Sequence, residues 1–250
     1  MATDVTLTEE QLAILRSNDT PTVCNVIELF GIRHDASGYM DDRIRAVYPE
    51  FPPMVGYAVT ATFQASSRPD GAPASYQKLI EIINLFNDLP GPPVLVFQDL
   101  DEPTVAATYG DMMVTAFKSF GAVGLVTSGA GRDIEQVRAM DFPCFTSGMN
   151  CSHGRCTIME VGVPVTVGGC LIRTGDLLHG DGNGVTTIPN QIASQVSDNC
   201  QSYVGCENIF LDYLRSTASP TTDGLRKAGS DMSARMAELR QKVAATKCCE

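Results

Sequence analysis

The chain has 250 residues, enough for one large domain or two small ones, and its 44% hydrophobic and 19% charged residues are typical of a folded globular protein. A formal net charge of −11, without a cluster of Lys and Arg, disfavours nucleic acid and anionic membranes as partners. An acidic protein that binds an anionic substrate needs local positive charge, from an arginine, a metal ion or a helix N-terminus.

The first ten residues lack the basic and apolar regions of a signal peptide, and no apolar run is long enough to span a membrane. We therefore expect a soluble, cytoplasmic protein. The nine cysteines are odd in number, several lie in apolar runs, and their spacings do not match a zinc site. Reduced thiols are expected.

Two short helices are predicted at the start of the chain. Thr8 and Gln11 fit a capping box for the first helix. Thr20 can cap the second, with Pro21 in its first turn and Gly31 at its end.

Strands and helices then alternate. Apolar periodicity predicts a strand, a helix, a strand, a helix, a strand, a helix and a short strand, at residues 55–63, 74–87, 94–97, 111–120, 122–126, 133–140 and 144–145. This order indicates a layered α/β domain.

The pattern changes in the last third of the chain. Residues 163–189 are rich in glycine and predict short strands joined by tight turns, followed by a helix over 191–215 and a linker over 216–227. A terminal helix has an apolar seam of Met232, Met236, Leu239 and Val243. This helix packs on its own domain or forms an oligomerisation arm. We divide the chain into a catalytic domain, 1–216, and a linker with a C-terminal helix, 217–250.

The candidate site lies between Gly110 and Asp133. Asp111 starts a predicted helix whose first free backbone donors would be those of Met112 and Met113, so a carboxylate could dock there. Arg132 adds a permanent cation, and Asp133 adds an oxygen ligand suited to Mg²⁺ or Mn²⁺. Two loops at the same end of adjacent elements would bring these residues together.

A simpler interpretation exists for the same residues. Asp111 is also a good helix cap, and an adjacent Arg-Asp pair is usually a solvated surface couple. Asp176 and Asp181, in the glycine-rich stretch, are expected to shape turns. His153 and His179 have no recognisable partner in the sequence and are expected to be structural or surface residues.

The chain resembles the RraA-like family. Its aldolase members carry an Asp, twenty residues, and then Arg-Asp, which matches Asp111 and Arg132-Asp133. The resemblance extends over roughly residues 20–215 and includes the segments 121–124, 142–145, 167–169 and 175–185. It implies a compact layered α/β/α domain of the swivelling β/β/α type, with N-terminal helices and a C-terminal helical extension, assembled as a trimer or hexamer.

The resemblance also implies roles for individual residues. Asp133 would bind the divalent metal, Mg²⁺ or Mn²⁺, and Arg132 would bond the keto oxygen of a pyruvate unit. Met112 and Met113 would bind its carboxylate through backbone N–H groups, Gly110 would also belong to the substrate-binding site, and Asp111 would orient a metal-bound water. A neighbouring subunit could lend Glu207.

The implied activity is retro-aldol cleavage of a 4-hydroxy-2-oxo acid, of the 4-hydroxy-4-methyl-2-oxoglutarate type, to pyruvate and a second carbonyl product. Oxaloacetate decarboxylation is an expected second activity because it reaches the same enolate. Two departures, Ser128 where the family commonly has Asp and Gln136 where aldolases often have an acid, leave open a lyase or decarboxylase for another 2-oxo acid. A non-catalytic regulator that binds a ribonuclease is the alternative from another class.

Overall fold

The computed structural model describes residues 6–67 and 75–246. The helices have the bounds α1 Glu9–Arg16, α2 Thr20–Glu28, α3 Ser75–Asn84, α4 Asp111–Ser119, α5 Ile134–Arg138, α6 Ala193–Ser216 and α7 Thr222–Thr246. The strands have the bounds β1 Arg45–Ala46, β2 Met54–Gln64, β3 Pro93–Asp99, β4 Ala107–Tyr109, β5 Gly124–Thr127, β6 Ala130–Gly131, β7 Cys144–Thr146, β8 Gly148–Met149, β9 Thr157–Val161, β10 Val165–Val167, β11 Cys170–Ile172, β12 Leu177–Asp181 and β13 Gly184–Ile188.

The main sheet has the strand order β1-β7-β5-β3-β2-β12-β13, and β9 pairs with the C-terminal end of β2. Strands β2, β3, β5 and β7 are parallel, which reflects the alternation of strands and helices in this part of the chain. The strands at both edges are antiparallel to their neighbours. Strand β2 is buried over nearly its whole length, which explains its continuous apolar sequence.

The two faces of the sheet are covered differently. Alternate side chains of β2 point to opposite sides: Val59 and Ala61 pack with α3, α4 and α5, whereas Ala58 packs with the β10–β11 hairpin. That hairpin turns at Gly168 and Gly169, both with positive φ, as a two-residue turn requires. The predicted layered α/β fold is confirmed, in its β/β/α form.

The two N-terminal helices are confirmed, with one correction. Thr8 and Gln11 form the predicted capping box. The cap of α2 is Asp19, whose side chain accepts from the N–H of Thr22, and not Thr20 as predicted. The hydroxyl of Thr20 instead lies 2.9 Å from Nδ1 of the buried His179, so a tertiary contact takes the group that local sequence assigned to capping.

The C-terminal helices pack against each other. The linker between α6 and α7 is shorter than the predicted 216–227, because α7 begins at Thr222 despite the small and polar residues there. Leu239 and Val243 of the predicted seam are buried in the cluster that also contains α1, α2 and α6. Tertiary packing stabilises a helix that composition alone did not favour.

Candidate functional site

A small parallel sheet, β4-β6-β8, brings the candidate residues together. Tyr109, the last residue of β4, is in register with Gly131, the last residue of β6. Because parallel strands end at the same edge, the segments that follow them, Gly110-Asp111 and Arg132-Asp133, lie side by side. This meeting of two loops was predicted from the sequence, but β4, β6 and β8 were not, because they are only two or three residues long.

The carboxylate of Asp133 contacts the start of α4. Asp133 occupies the N-cap position of α5, yet its side chain makes no capping bond to α5. Its Oδ2 instead accepts a hydrogen bond of 3.0 Å from the backbone N–H of Asp111, the first residue of α4. Its φ of 57° is in the left-handed region, which aspartate tolerates better than most residues. A sparsely populated backbone conformation directs this carboxylate towards another helix.

Arg132 and Gly110 complete the cluster. Arg132 Nε lies 3.4 Å from Asp133 Oδ2, and each of these two side chains is 29% exposed. A Cβ added to Gly110 would collide with Asp133 Oδ2 and would come within 2.8 Å of Arg132 Nε. Any larger residue at this position would therefore require the two charged side chains to shift.

The N-terminus of α4 offers fewer free donors than predicted. Gly110 is the N-cap, so Asp111 is the first helical residue. The N–H of Met112, predicted to be free, donates to Asp111 Oδ1 at 2.7 Å, because that carboxylate folds back over the helix start. Among the described residues, no partner is recorded for the N–H of Met113, which remains available to an anion together with the helix dipole.

The donor set suits a hard divalent cation with few protein ligands. Within residues 6–67 and 75–246, no group of three or more His, Cys, Asp and Glu side chains could hold a metal ion. Mg²⁺ commonly uses one or two carboxylates and retains several waters. Asp133 fits that use, because Oδ2 is fixed by Asp111 N–H while no described residue donates to Oδ1.

A cavity of about 370 Å³ opens beside this cluster. Gly110, Arg132 and His153 line it. So does an apolar wall from α3, α4, β9 and the residue before β9, formed by Leu79, Met112, Met113, Ala116, Cys156 and Ile158. Burial raises the pKa of the Cys156 thiol, an effect that nearby Arg132 partly offsets. A small site with a few polar groups and a mainly apolar lining is typical of ligand pockets.

Most of this wall was not predicted from the sequence. Leu79, Cys156 and Ile158 come from segments far from the 110–133 stretch, and no local pattern indicates that they meet it. His153, assigned to a structural or surface role, is exposed as expected but also lines the cavity. Its Nδ1 lies 2.8 Å from the carbonyl oxygen of Gly154.

Other residues considered in the sequence analysis lie elsewhere. Glu207 is on α6, a helix that packs with α1, α2 and α7 and not with α4, so its use by a neighbouring chain stays a prediction. Asp181 accepts from the N–H of Asn183, and Asp176 from that of Arg173, as turn-shaping residues do. Asp181 also accepts from the N–H of Thr20, which is a contact between distant segments. Ser128 Oγ accepts from the N–H of Asp99 at 2.9 Å.

None of the cysteines among residues 6–67 and 75–246 takes part in a disulfide, and Cys248 and Cys249 lie outside the described residues. Over those same residues, none of the helices combines the length and the apolar character needed to cross a bilayer.

Comparison with known proteins agrees with this fold. A family model described as "RraA-like: Aldolase/RraA" matches residues 20–187. A protein of Halalkalibacterium halodurans named "Putative 4-hydroxy-4-methyl-2-oxoglutarate aldolase" is 35% identical over 117 residues, which cover 46% of this chain and 55% of that protein. The chain thus spans about half the length of this curated relative.

Two solved structures share the fold. RraAS2 of Streptomyces coelicolor, described as an unusual member of the RNase ES inhibitor RraA protein family, is 25% identical, with a TM-score of 0.64 and coverage of 81% of this chain and 96% of that one. An uncharacterized protein from Pseudomonas syringae is 22% identical, with a TM-score of 0.69 and coverage of 91% and 96%. With more than half of its residues matched by the family model, the chain belongs to the RraA-like family of aldolases and RraA proteins.

Proposed function

We propose that the protein is a divalent-metal-dependent lyase that cleaves a 4-hydroxy-2-oxo acid to pyruvate and a second carbonyl compound. The observation that carries this proposal is the contact of Asp133 with the start of α4, beside Arg132, which lines a cavity together with Gly110. An anion-binding helix terminus, a cation and a carboxylate with a free oxygen meet at one point. The aldolase names among the relatives support the same class of reaction.

The chain's own residues account for binding of the pyruvate unit. The N–H of Met113 and the positive end of the α4 dipole would hold its carboxylate. Arg132 would donate to the keto oxygen and stabilise the negative charge that develops there. Asp133 would hold Mg²⁺ or Mn²⁺ through Oδ1. The cation, when bound, supplies Lewis-acid stabilisation of the substrate oxygens.

Asp111 would handle the proton in this reaction. The C4 hydroxyl loses its proton to the Asp111 carboxylate, directly or through a water. The C3–C4 bond then breaks, C4 becomes a carbonyl carbon, and the electron pair of that bond forms the pyruvate enolate. Return of the proton to C3 gives pyruvate. Oxaloacetate would reach the same enolate by losing CO₂, so its decarboxylation is the proposed second activity.

A second candidate function is a non-catalytic regulator that binds a ribonuclease. The family of the RraAS2 relative supports it, and a net charge of −11 suits a basic protein surface. This function would not require Asp111, Arg132 and Asp133 to converge, which is why the enzyme is favoured.

Pyruvate release from a panel of 4-hydroxy-2-oxo acids and oxaloacetate, with and without Mg²⁺, separates the two candidates. The enzyme proposal expects metal-stimulated release from at least one compound. Absence of release from the whole panel, together with co-purification of a ribonuclease complex, would support the regulator instead.

A further inference from the structure

The lining of the cavity bears on which substrate the site takes. Resting on the proposed function, we infer that the favoured substrates carry an apolar alkyl or aryl group at C4, so that an apolar aldehyde or ketone leaves with pyruvate. The relevant feature is an apolar wall directly beside Gly110 and Arg132.

Charge is distributed unevenly over this cavity. Arg132 and His153 are the side chains able to carry a positive charge among the described residues that line it. Arg132 already lies beside Asp133 and would bind the pyruvate unit. His153 is exposed and places Nδ1 2.8 Å from the carbonyl oxygen of Gly154. No permanent cation among these lining residues is left for a second carboxylate.

The apolar wall would penalise a charged C4 group. The side chains of Leu79, Ala116 and Ile158 offer no hydrogen bond, and a carboxylate placed against them would lose hydration without compensation. An alkyl or aryl group placed there would instead release water from apolar surface. Met112 and Met113 add flexible, polarisable side chains that can adapt to rings and branched groups.

The same bonds break and form whichever substituent C4 carries. The C4 hydroxyl gives up its proton, the C3–C4 bond breaks, its electron pair forms the enolate, and C3 takes up a proton. The C4 substituent takes no part in these bond changes. Its contacts with the wall therefore act on selectivity, through the ratio of kcat/KM between two substrates.

Two probes differ only in the C4 substituent: 4-hydroxy-2-oxo-4-phenylbutanoate and 4-hydroxy-2-oxoglutarate, which carries a carboxylate there. We expect the phenyl compound to have a kcat/KM at least about tenfold higher than the carboxylate compound. Binding of the carboxylate compound requires burial of an unpaired charge, which lowers its kcat/KM. Exchange of the C3 protons of pyruvate in D₂O, followed by NMR, reports the enolate chemistry independently of C4.

The outcomes separate the two proposals. Exchange at C3 with equal or preferred cleavage of the carboxylate compound overturns the inference about the wall. Exchange at C3 without cleavage of the phenyl compound overturns it as well. Absence of both exchange and cleavage overturns the proposed function itself.

A matched pair of variants on α3 tests the wall directly. Leu79 lines the cavity, whereas its neighbour Ile80 does not and is 51% exposed. Leu79→Lys should shift the ratio of kcat/KM at least about tenfold towards the carboxylate compound, because it places a cation in the wall. Ile80→Lys should leave the ratio at the wild-type value. Equal ratios in the two variants, with melting temperatures showing that both fold, would contradict the inference.

Discussion

The carboxylate of Asp133 accepts a hydrogen bond of 3.0 Å from the backbone N–H of Asp111, although Asp133 stands at the start of a different helix. This contact ties the two halves of the motif, separated by more than twenty residues, into one unit. It also leaves Asp133 Oδ1 without a donor among the described residues and thus able to serve as a ligand.

Asp133→Asn tests the proposed ligand without removing the contact to α4. Asparagine keeps an oxygen acceptor for Asp111 N–H and tolerates the left-handed backbone, but it loses the negative charge. Metal-stimulated turnover should fall to background and Mn²⁺ affinity, measured by EPR titration, should weaken at least about tenfold. The melting temperature should change by no more than ~4 °C, which for this chain length corresponds to about 1 kcal/mol.

Asp141→Asn is the matched control. Asp141 is exposed and also has a positive φ, of 49°, but it does not line the cavity. The Asp141→Asn variant should retain wild-type turnover and Mn²⁺ affinity. Turnover near the wild-type rate in Asp133→Asn would show that the site has been placed wrongly.

Gly110→Ala tests the close approach of the backbone to the charged pair. The backbone of Gly110 is extended, so alanine causes no conformational strain, yet its Cβ must displace Asp133 Oδ2 and Arg132 Nε. A displacement on this scale should lower kcat/KM by about 10²-fold. Gly148→Ala, where an added Cβ meets nothing within 4 Å, should leave kcat/KM unchanged. Equal activity of the two variants would mean that the pair need not be held in this position.

The buried His179 makes stability depend on pH. Desolvation lowers its pKa below the usual 6.5, and the neutral ring bridges Leu15 O and the Thr20 hydroxyl. The folded state therefore resists protonation that the unfolded state accepts, so this contribution is complete above pH 6.5 and is lost as pH falls below it. Between pH 6.5 and 5.0, the free energy of unfolding should therefore decrease, with a contribution from this one site of at most about 1.4 kcal/mol per pH unit.

Urea unfolding of wild type and His179→Gln across this range measures that slope. The variant should show a shallower dependence on pH even if it is less stable at pH 7. Identical slopes for the two proteins would show that His179 does not cause the loss of stability.

A trimer, or a multiple of it, remains our prediction for the protein in solution. Met112 borders the cavity and is 82% exposed, so a second chain could cover that side of the site. Light scattering should give about three or six times the chain mass of 26.8 kDa. A strict monomer with full activity would contradict the proposal that a neighbouring chain completes the site.

Sequence reasoning succeeded where the signal is local. The capping box of Thr8 and Gln11 lies within one helical turn, and the turn at Gly168 and Gly169 needs only a backbone that glycine adopts. The order of strands and helices predicted the layered α/β domain for the same reason, because each element carries its own apolar period.

The failures have a common cause in contacts between distant segments. Thr20 does not cap α2 because it contacts His179, and α7 starts at Thr222 because it packs on α6. Asp133 reaches α4 only because β4 and β6 pair, and both strands are too short to show a period in the sequence. The apolar wall, with Leu79 and Ile158, depends on the same long-range assembly.

Asp111→Asn provides the most direct test of the proposed chemistry. The amide oxygen can still accept from the N–H of Met112, and the N–H of residue 111 still reaches Asp133, so the helix start and the anion site should remain. What is lost is the carboxylate that takes the proton. The measurement is kcat for pyruvate release at saturating Mg²⁺, together with the Ki of oxalate. We predict that kcat falls roughly 10²–10⁴-fold while Ki stays near the wild-type value. An unchanged kcat, with a lowered melting temperature, would show that Asp111 only stabilises the helix and would contradict its role in catalysis.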